Sequence, residues 1–482
     1  MLDSQFRSSI PNRMSDLNFL SAACMAEQVL GRQISPVELI ESHLNRIAKL
    51  NPKLNAFVHI DPESARLQAQ AAEAAVLRGE ALGPLRGVPL SIKSCIDVAG
   101  MRCEAGTKLR AGNIPLQDAP LVARLRKAGA IILGVTNTPE LLMAWETDNL
   151  LYGRTNNPWD LARTSGGSSG GEAAAIASGC CAGGVGSDGG GSIREPAHFT
   201  GICGLKPTPG RIPCTGHFPA SAGPFARLGV VGPMARTVAD VKLLFEVMQG
   251  PDAGDPSAAP VPLHSPATDE LKKLRIGFFE DDGCTPVTPE TRAAVRTAAE
   301  ALSRTGFEVH PFRPEGLDEA FELWWKFFGI AGGMLLRPMF AGREDQQSPM
   351  LKQFLAWTEP SHTGHSLLNT WVESDVLRLK ILAQLEDYPI LLCPVAAIPA
   401  FRHGERSWNI DGREVNYLDA WSYTAWFNLL GMPAMALPVG QSPEGLPIGV
   451  QVAGRPWEEE CVIEVAAAIE RECQGWRRPP EL

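Results

Sequence analysis

The apolar positions of this chain change period several times, and each change marks an element. Over residues 36–50 they recur at helical spacing behind Ser35, a capping residue, with Pro36 at the first helical position. Residues 62–77, rich in Ala, Glu and Gln, predict another helix, and 15–80 as a whole reads as helical. The period then shortens: Gly87-Val88-Pro89-Leu90-Ser91-Ile92 predicts a short apolar strand that ends at Lys93. Residues 119–128 predict a helix leading into a buried strand at 130–133, with a turn at Thr136-Asn137-Thr138-Pro139. A second alternating stretch has a strand at 274–278, a helix at 289–304 and buried strands at 390–394 and 434–438. Residues 251–266, rich in Pro, Ala, Asp and Ser, are the expected exposed connection. Helix–strand alternation of this kind predicts an α/β fold. No internal repeat and no heptad pattern interrupts it.

Between Thr164 and Arg194 the pattern gives way to TSGGSSGGEAAAIASGCCAGGVGSDGGGSIR. Glycine lets a backbone approach a ligand closely, and N–H groups of such loops converge on anions. A flexible linker would not enclose the apolar run 173–177, nor be followed by the apolar segment 202–212, so the stretch reads as a site. It is expected to place Ser168 and Ser192 in loops at either end of one helix.

Composition narrows the class of ligand. The 482 residues are 44% hydrophobic and 20% charged, enough for a large core, and the net charge of −10 is spread along the chain. That argues against nucleic acid as a partner. No stretch has the length of a membrane span, and Met1-Leu2-Asp3-Ser4-Gln5 lacks the plan of a signal peptide. The 11 cysteines show no paired zinc spacing, and Cys180-Cys181 is not a Cys-x-x-Cys motif. Reduced, mostly buried thiols and a cytoplasmic location are expected, with no metal and no cofactor.

Two motif matches fail on context. Gly184-x-Gly186-x-x-Gly189 has the dinucleotide spacing, but no helix could start in the Gly-Gly-Gly-Ser that follows, and no acidic residue ends a second strand. Gly166-x-Ser168-x-Gly170 has the spacing of a nucleophile elbow, but the preceding residues 159–164 carry two charges and no β-branched run. His362-x-x-His365 lies in a polar segment without an acidic neighbour and reads as surface. Of nine histidines only His198 is near the serine-rich stretch. A serine nucleophile needs a base, and Lys93, at the end of an apolar strand, is the candidate: burial disfavours the ammonium and lowers its pKa.

Together, Gly87–Lys93, Gly166-Gly167-Ser168-Ser169-Gly170-Gly171 and Gly186-Ser187-Asp188-Gly189-Gly190-Gly191-Ser192-Ile193-Arg194 resemble the signature of the amidase signature family. Gly431-Met432-Pro433-Ala434 and Gly445-Leu446-Pro447-Ile448-Gly449-Val450-Gln451 extend the resemblance over nearly the whole chain. It implies a single large α/β domain over 20–475, a mixed central sheet covered by helices on both faces, with the N-terminal helices packed on it. It implies Ser192 as the acyl-forming nucleophile, Ser168 as the bridging serine after a cis peptide, and Lys93 as the base. The backbone N–H groups of Gly189, Gly190, Gly191 and Ser192 would form the oxyanion hole, braced by Asp188 and Arg194. Departures are Ser94 for the usual Asp, Ser187 for Thr, and Gly189 for Thr or Ile, the last expected to change loop stiffness rather than chemistry.

Leu142, Met143 and Trp145 fall where family members place the wall of the acyl channel. Trp324-Trp325, Phe327-Phe328, Trp421, Trp426 and Phe427 could line an apolar pocket or fill the core. Residues 186–194 and 201–207 are similar to the fatty-acid amide hydrolase branch. The expected activity is hydrolysis of the C–N bond of a small-molecule amide with an apolar or aryl acyl group, by a chain without a membrane span and with a homodimer as candidate assembly. Two alternatives stand beside it. One is the amidase component of a glutamyl-tRNA amidotransferase complex, which usually carries an adjacent tyrosine pair that this chain lacks. The other is a non-catalytic binding protein on the same fold.

Overall fold

The computed structural model describes residues 17–80, 83–223, 225–358 and 363–482. Residues 1–5, read above for a signal peptide, the first residues of the N-terminal helical region and His362 of the histidine pair lie outside the described residues. His365 is exposed at the start of a helix.

A single α/β domain is built on one large mixed sheet. Its strands are β1 (Phe57–Ile60), β2 (Pro89–Lys93), β3 (Ile131–Thr136), β4 (Gly183–Asp188), β5 (Cys203–Lys206), β6 (Val230–Ala235), β7 (Arg275–Phe278), β8 (Glu308–Pro311) and β9 (Ile390–Pro394). After the small hairpin β10 (Ser407–Ile410) and β11 (Arg413–Asn416), β12 (Ala434–Gln441) and β13 (Pro447–Gly454) complete it. The sheet order is β1-β3-β2-β4-β6-β5-β12-β13-β9-β7-β8. β2 runs parallel to both β3 and β4, and β4 is antiparallel to β6.

Alternation along the strands sends side chains into two core layers. Ile132 joins Leu90, Ile92 and Val185 in one, while Ile131 and Leu133 join Ala173–Ala177 in the other. The N-terminal helices α1 (Ala22–Leu30), α2 (Pro36–Leu54) and α3 (Pro62–Arg78) start on side-chain caps: Ser35 Oγ accepts from Val37 N–H at 3.0 Å, and Asp61 Oδ1 from Ser64 N–H at 3.0 Å. α2 runs one turn beyond the expected end because Asn55, in the left-handed conformation, closes it with a bond to Asn51 O at 2.7 Å. Residues 251–266 have no regular structure, as their composition predicts.

The serine-rich stretch folds differently from its sequence expectation. Helix α4 (Gly170–Ala177) follows Ser168, but β4 then intervenes, and Ser192 precedes the next helix, α5 (Arg194–Thr200). The two serines therefore flank a helix–strand pair, not one helix. β4 carries a single β-branched residue, Val185, so its strand character was not visible. Its glycines answer to tertiary crowding: a Cβ at Gly186 would lie 2.8 Å from both Met234 Sδ and Ser169 Oγ. Gly184 and Gly186 thus sit inside the strand rather than after it, and no strand runs directly into Gly166. Both dismissed motifs stay dismissed.

Helices α6 (Leu317–Met339), α8 (Gly364–Gln384) and α9 (Ser422–Leu429) build a separate aromatic layer around Trp145, Trp324 and Trp421, and α7 (Pro349–Trp357) packs on α6 through Leu351, Phe354 and Leu336. Among the described residues no helix is long and apolar enough to cross a membrane.

Candidate active site

β2 delivers Lys93 to the sheet's interior. The side chain is fully buried, and Nζ lies 2.6 Å from Ser168 Oγ, 2.9 Å from Ser169 Oγ and 3.0 Å from Ser187 Oγ. Burial lowers Lys93 from its ordinary 10.5 to about 8, against the pull of Cys95, Asp188 and Glu172. Glu172, on α4, was not singled out by sequence. It receives the Ser91 hydroxyl and that of Thr136, and burial raises it to about 7.

The loop before α4 holds Ser168. The Gly167–Ser168 peptide is cis. Gly167 N–H donates to Glu195 Oε2 at 2.9 Å, and Thr138 Oγ donates to Ser168 O at 2.8 Å. Gly166 has φ +87°, and a Cβ there would lie 2.8 Å from Pro196 Cα, so glycine is required on both counts. Ser169 N–H donates to Ser192 O at 3.2 Å, which ties the two serine loops together.

The second loop turns on Asp188. Its carboxylate accepts from Gly191 N–H (2.7 Å), Ile193 N–H (3.1 Å) and Arg194 Nη2 (3.0 Å), with both ion-pair side chains fully buried. Burial alone would raise Asp188, but Arg194 holds it well below the usual carboxylate range. Arg194 also donates to Gln451 at 3.0 Å and Asn428 at 2.6 Å, so the loop is anchored to β13 and α9. The Gly189 carbonyl accepts from Trp324 Nε1 at 2.9 Å, and that of Gly190 from Trp145 Nε1 at 3.1 Å and Thr424 Oγ at 2.9 Å. Among the described residues the amides of Gly189, Gly190 and Ser192 have no acceptor. That of Gly191 is donated to Asp188, so of the four amides expected to face an oxyanion this one is already occupied.

Ser168 and Ser192 open on one wall of a cavity of about 500 Å³. Their hydroxyls are not hydrogen-bonded to each other in this structure, so the expected Ser192–Ser168 link is not closed. Leu142, Met143 and Trp145 line the same cavity. Of the aromatic candidates, Trp324, Trp325 and Phe328 line it, whereas Phe327, Trp421, Trp426 and Phe427 are core. Sequence reasoning missed Phe218, Phe225, Phe354, Trp357 and Tyr417. A signal existed on α6, where Trp324, Phe328, Leu335 and Met339 recur at helical spacing; Phe218 and Phe225 lie on either side of an irregular loop with no period to read. His198, the histidine nearest in sequence, is structural: it accepts from Gly449 N–H at 2.7 Å and reaches Ile398 O at 3.1 Å. The histidine at the cavity is His217, which sequence did not single out.

The family model described as Amidase matches residues 38–463. This chain belongs to the amidase signature family. It is 35% identical to an acylamidase of Rhodococcus erythropolis, over 94% of this chain and 96% of that protein. It is 34% identical to a glutamyl-tRNA(Gln) amidotransferase subunit of Roseiflexus castenholzii, over 97% of this chain and 99% of that protein. Among solved structures, a fatty acid amide hydrolase superposes with a TM-score of 0.86 at 26% identity, covering 96% of this chain and 87% of that one. Amide hydrolysis is the general chemistry of this amidase family, and the chain is an enzyme of that class.

Proposed function

We propose that this amidase hydrolyses amides with an apolar or aryl acyl group through an acyl-enzyme on Ser192. The observation that carries the reading is the fully buried Lys93 Nζ, 2.6 Å from Ser168 Oγ, beside an aromatic cavity onto which Ser192 opens. Neutral Lys93 takes the proton of Ser168 as Ser168 takes that of Ser192, and Ser192 Oγ bonds to the substrate carbonyl carbon. The oxyanion faces the Gly189, Gly190 and Ser192 amides, each essential donor contributing about 3–4 kcal/mol. On collapse the C–N bond breaks and the proton returns through Ser168 to the leaving amine. Water then enters by the same relay and releases the acid.

The acyl preference is supported by the wall itself. No lysine or arginine is among the described residues lining the cavity, so an acyl group bearing a charge finds no fixed cationic partner there. The acylamidase relative fits that character. A second reading, a glutamine-hydrolysing component of an amidotransferase, draws on the end-to-end similarity to the Roseiflexus castenholzii protein. Glutamine carries an α-carboxylate, and this lining offers it no lysine or arginine. Intact-mass measurement of Ser192→Cys after exposure to a library of acyl anilides, aliphatic amides and glutamine separates the two. An aryl or alkyl acyl adduct is expected; an adduct from glutamine alone would overturn the reading.

A further inference from the structure

Lys93 Nζ has three hydroxyl neighbours, and the direction of each bond decides where its lone pair points. The Ser169 hydroxyl is donated to the Ser187 carbonyl at 3.3 Å, so Ser169 Oγ accepts from Lys93. On the other side a run of polar atoms leads away from the lysine. Lys93 Nζ is 3.0 Å from Ser187 Oγ, Ser187 Oγ is 3.7 Å from Cys95 Sγ, and Cys95 Sγ is 3.5 Å from His217 Nε2. The run ends on the Pro219 carbonyl, 2.8 Å from His217 Nδ1.

A carbonyl only accepts, so in the neutral imidazole the proton is on Nδ1 and Nε2 bears the lone pair. That fixes every bond upstream. Cys95 S–H donates to His217 Nε2, Ser187 O–H donates to Cys95 Sγ, and Ser187 Oγ accepts from Lys93. Both hydrogens of the neutral amine are then taken, by Ser169 and Ser187, and its lone pair is left for Ser168.

We propose that His217, connected through Cys95 and Ser187, is a second seat for the proton of Lys93 and sets the pH at which that lysine acts as base. The proposal rests on the reading of Lys93 as base given above. In the transfer one N–H bond breaks at the Lys93 ammonium and one forms at His217 Nε2. Ser187 and Cys95 each give one proton and take one, and the positive charge moves from the buried amine to an imidazolium on the cavity wall. Its Nδ1–H stays on Pro219.

The surroundings narrow the gap in affinity between the two seats. Burial lowers Lys93 to about 8, while the Pro219 carbonyl, which accepts from Nδ1–H, favours the protonated form of His217. The charged and titratable groups facing Lys93 are Cys95, Asp188 and Glu172; those facing His217 are Cys95 and Lys93, with Cys214 on its own loop also at the cavity. A protonated His217 also repels the ammonium form of Lys93, which favours the neutral base further.

The test is the pH profile of kcat/KM on an acyl p-nitroanilide. In His217→Gln and Cys95→Val the acid limb, scaled to each variant's own high-pH plateau, is expected to move up by about one pH unit, so activity near about pH 7 falls about tenfold relative to that plateau. Cys95→Ser, which keeps a donor and acceptor in the run, should retain the wild-type limb. Acid limbs of His217→Gln and Cys95→Val that superimpose on wild type would overturn the proposal, as would an equal loss at every pH. Should Cys95→Val fail to fold, the infrared S–H band of Cys95, assigned by difference with Cys95→Ser, decides: it should shift between wild type and His217→Gln, and an unchanged band would sink the run. Full turnover in Lys93→Ala would instead refute the reading beneath it, so the two failures are distinguishable.

Discussion

Trp324 holds Gly189: its indole N–H donates to the Gly189 carbonyl at 2.9 Å while its ring stacks on Phe328 at 4.8 Å. One side chain thus fixes the Gly189 peptide and forms part of the cavity wall. Trp324→Phe keeps the stack and removes the donor. A net hydrogen bond of about 1 kcal/mol corresponds to roughly a fivefold to tenfold loss of kcat/KM, similar for short and long acyl groups. A loss confined to one acyl length would show that the ring, not the N–H, matters.

Lys93 has a folded value of about 8 against an ordinary 10.5, and the base of the proposed mechanism is its neutral form. Acylation should therefore rise with pH toward about 8. Stability follows the same shift. The unfolded chain holds this proton more tightly, so the cost of a buried ammonium is full below about 8 and is relieved as pH climbs to 10.5. The stability of Lys93→Met relative to wild type should accordingly decline over that window, as read from melting temperatures. A difference that does not change with pH would contradict it.

Asp188 and Arg194 are a buried pair with no solvent exposure of either side chain. Asp188→Asn leaves the guanidinium without its counter-charge, which in a buried site costs about 3–5 kcal/mol. Because the folded Asp188 lies below its ordinary value, the stability it contributes is present above about 3.9 and is lost as pH falls further. Urea unfolding at neutral pH should show the loss, and acid unfolding should be less steep in the variant.

A Cβ at Gly189 would lie 3.3 Å from Phe328 Cε2. Loop and wall are therefore matched. Phe328→Ala should raise KM for aryl acyl amides about tenfold, with kcat changed little, through loss of about 1–2 kcal/mol of ring contact. Gly189→Thr in that background should be better tolerated than in wild type. Equal penalties in both backgrounds would break the link.

Much of the chemistry was legible in the linear chain. Lys93 stood out because a lysine ends an apolar strand, and Ser168 and Ser192 because glycine surrounds them; these are local patterns. Strands and helices with a clear period were equally legible, Ile390–Pro394 and Pro289–Arg304 to the residue. β4 was not, since Gly183–Asp188 owes its extended form to pairing on both sides and to crowding from Ser169, Met234 and Ile193.

The same division holds for the site. Residue types and spacing along the chain pointed to Lys93, Ser168 and Ser192 and to the α/β plan, because each is a local pattern, and their resemblance to the amidase signature implied the reaction class. Only the tertiary structure decided that Gly191 spends its amide on Asp188, and that Trp145 and Trp324 turn the glycine carbonyls away. It also decided that His217 and Cys95 meet Ser187 beside Lys93. Hydrogen-bond direction and burial depend on groups far apart in sequence, and those meet only when the sheet and its aromatic layer close around them.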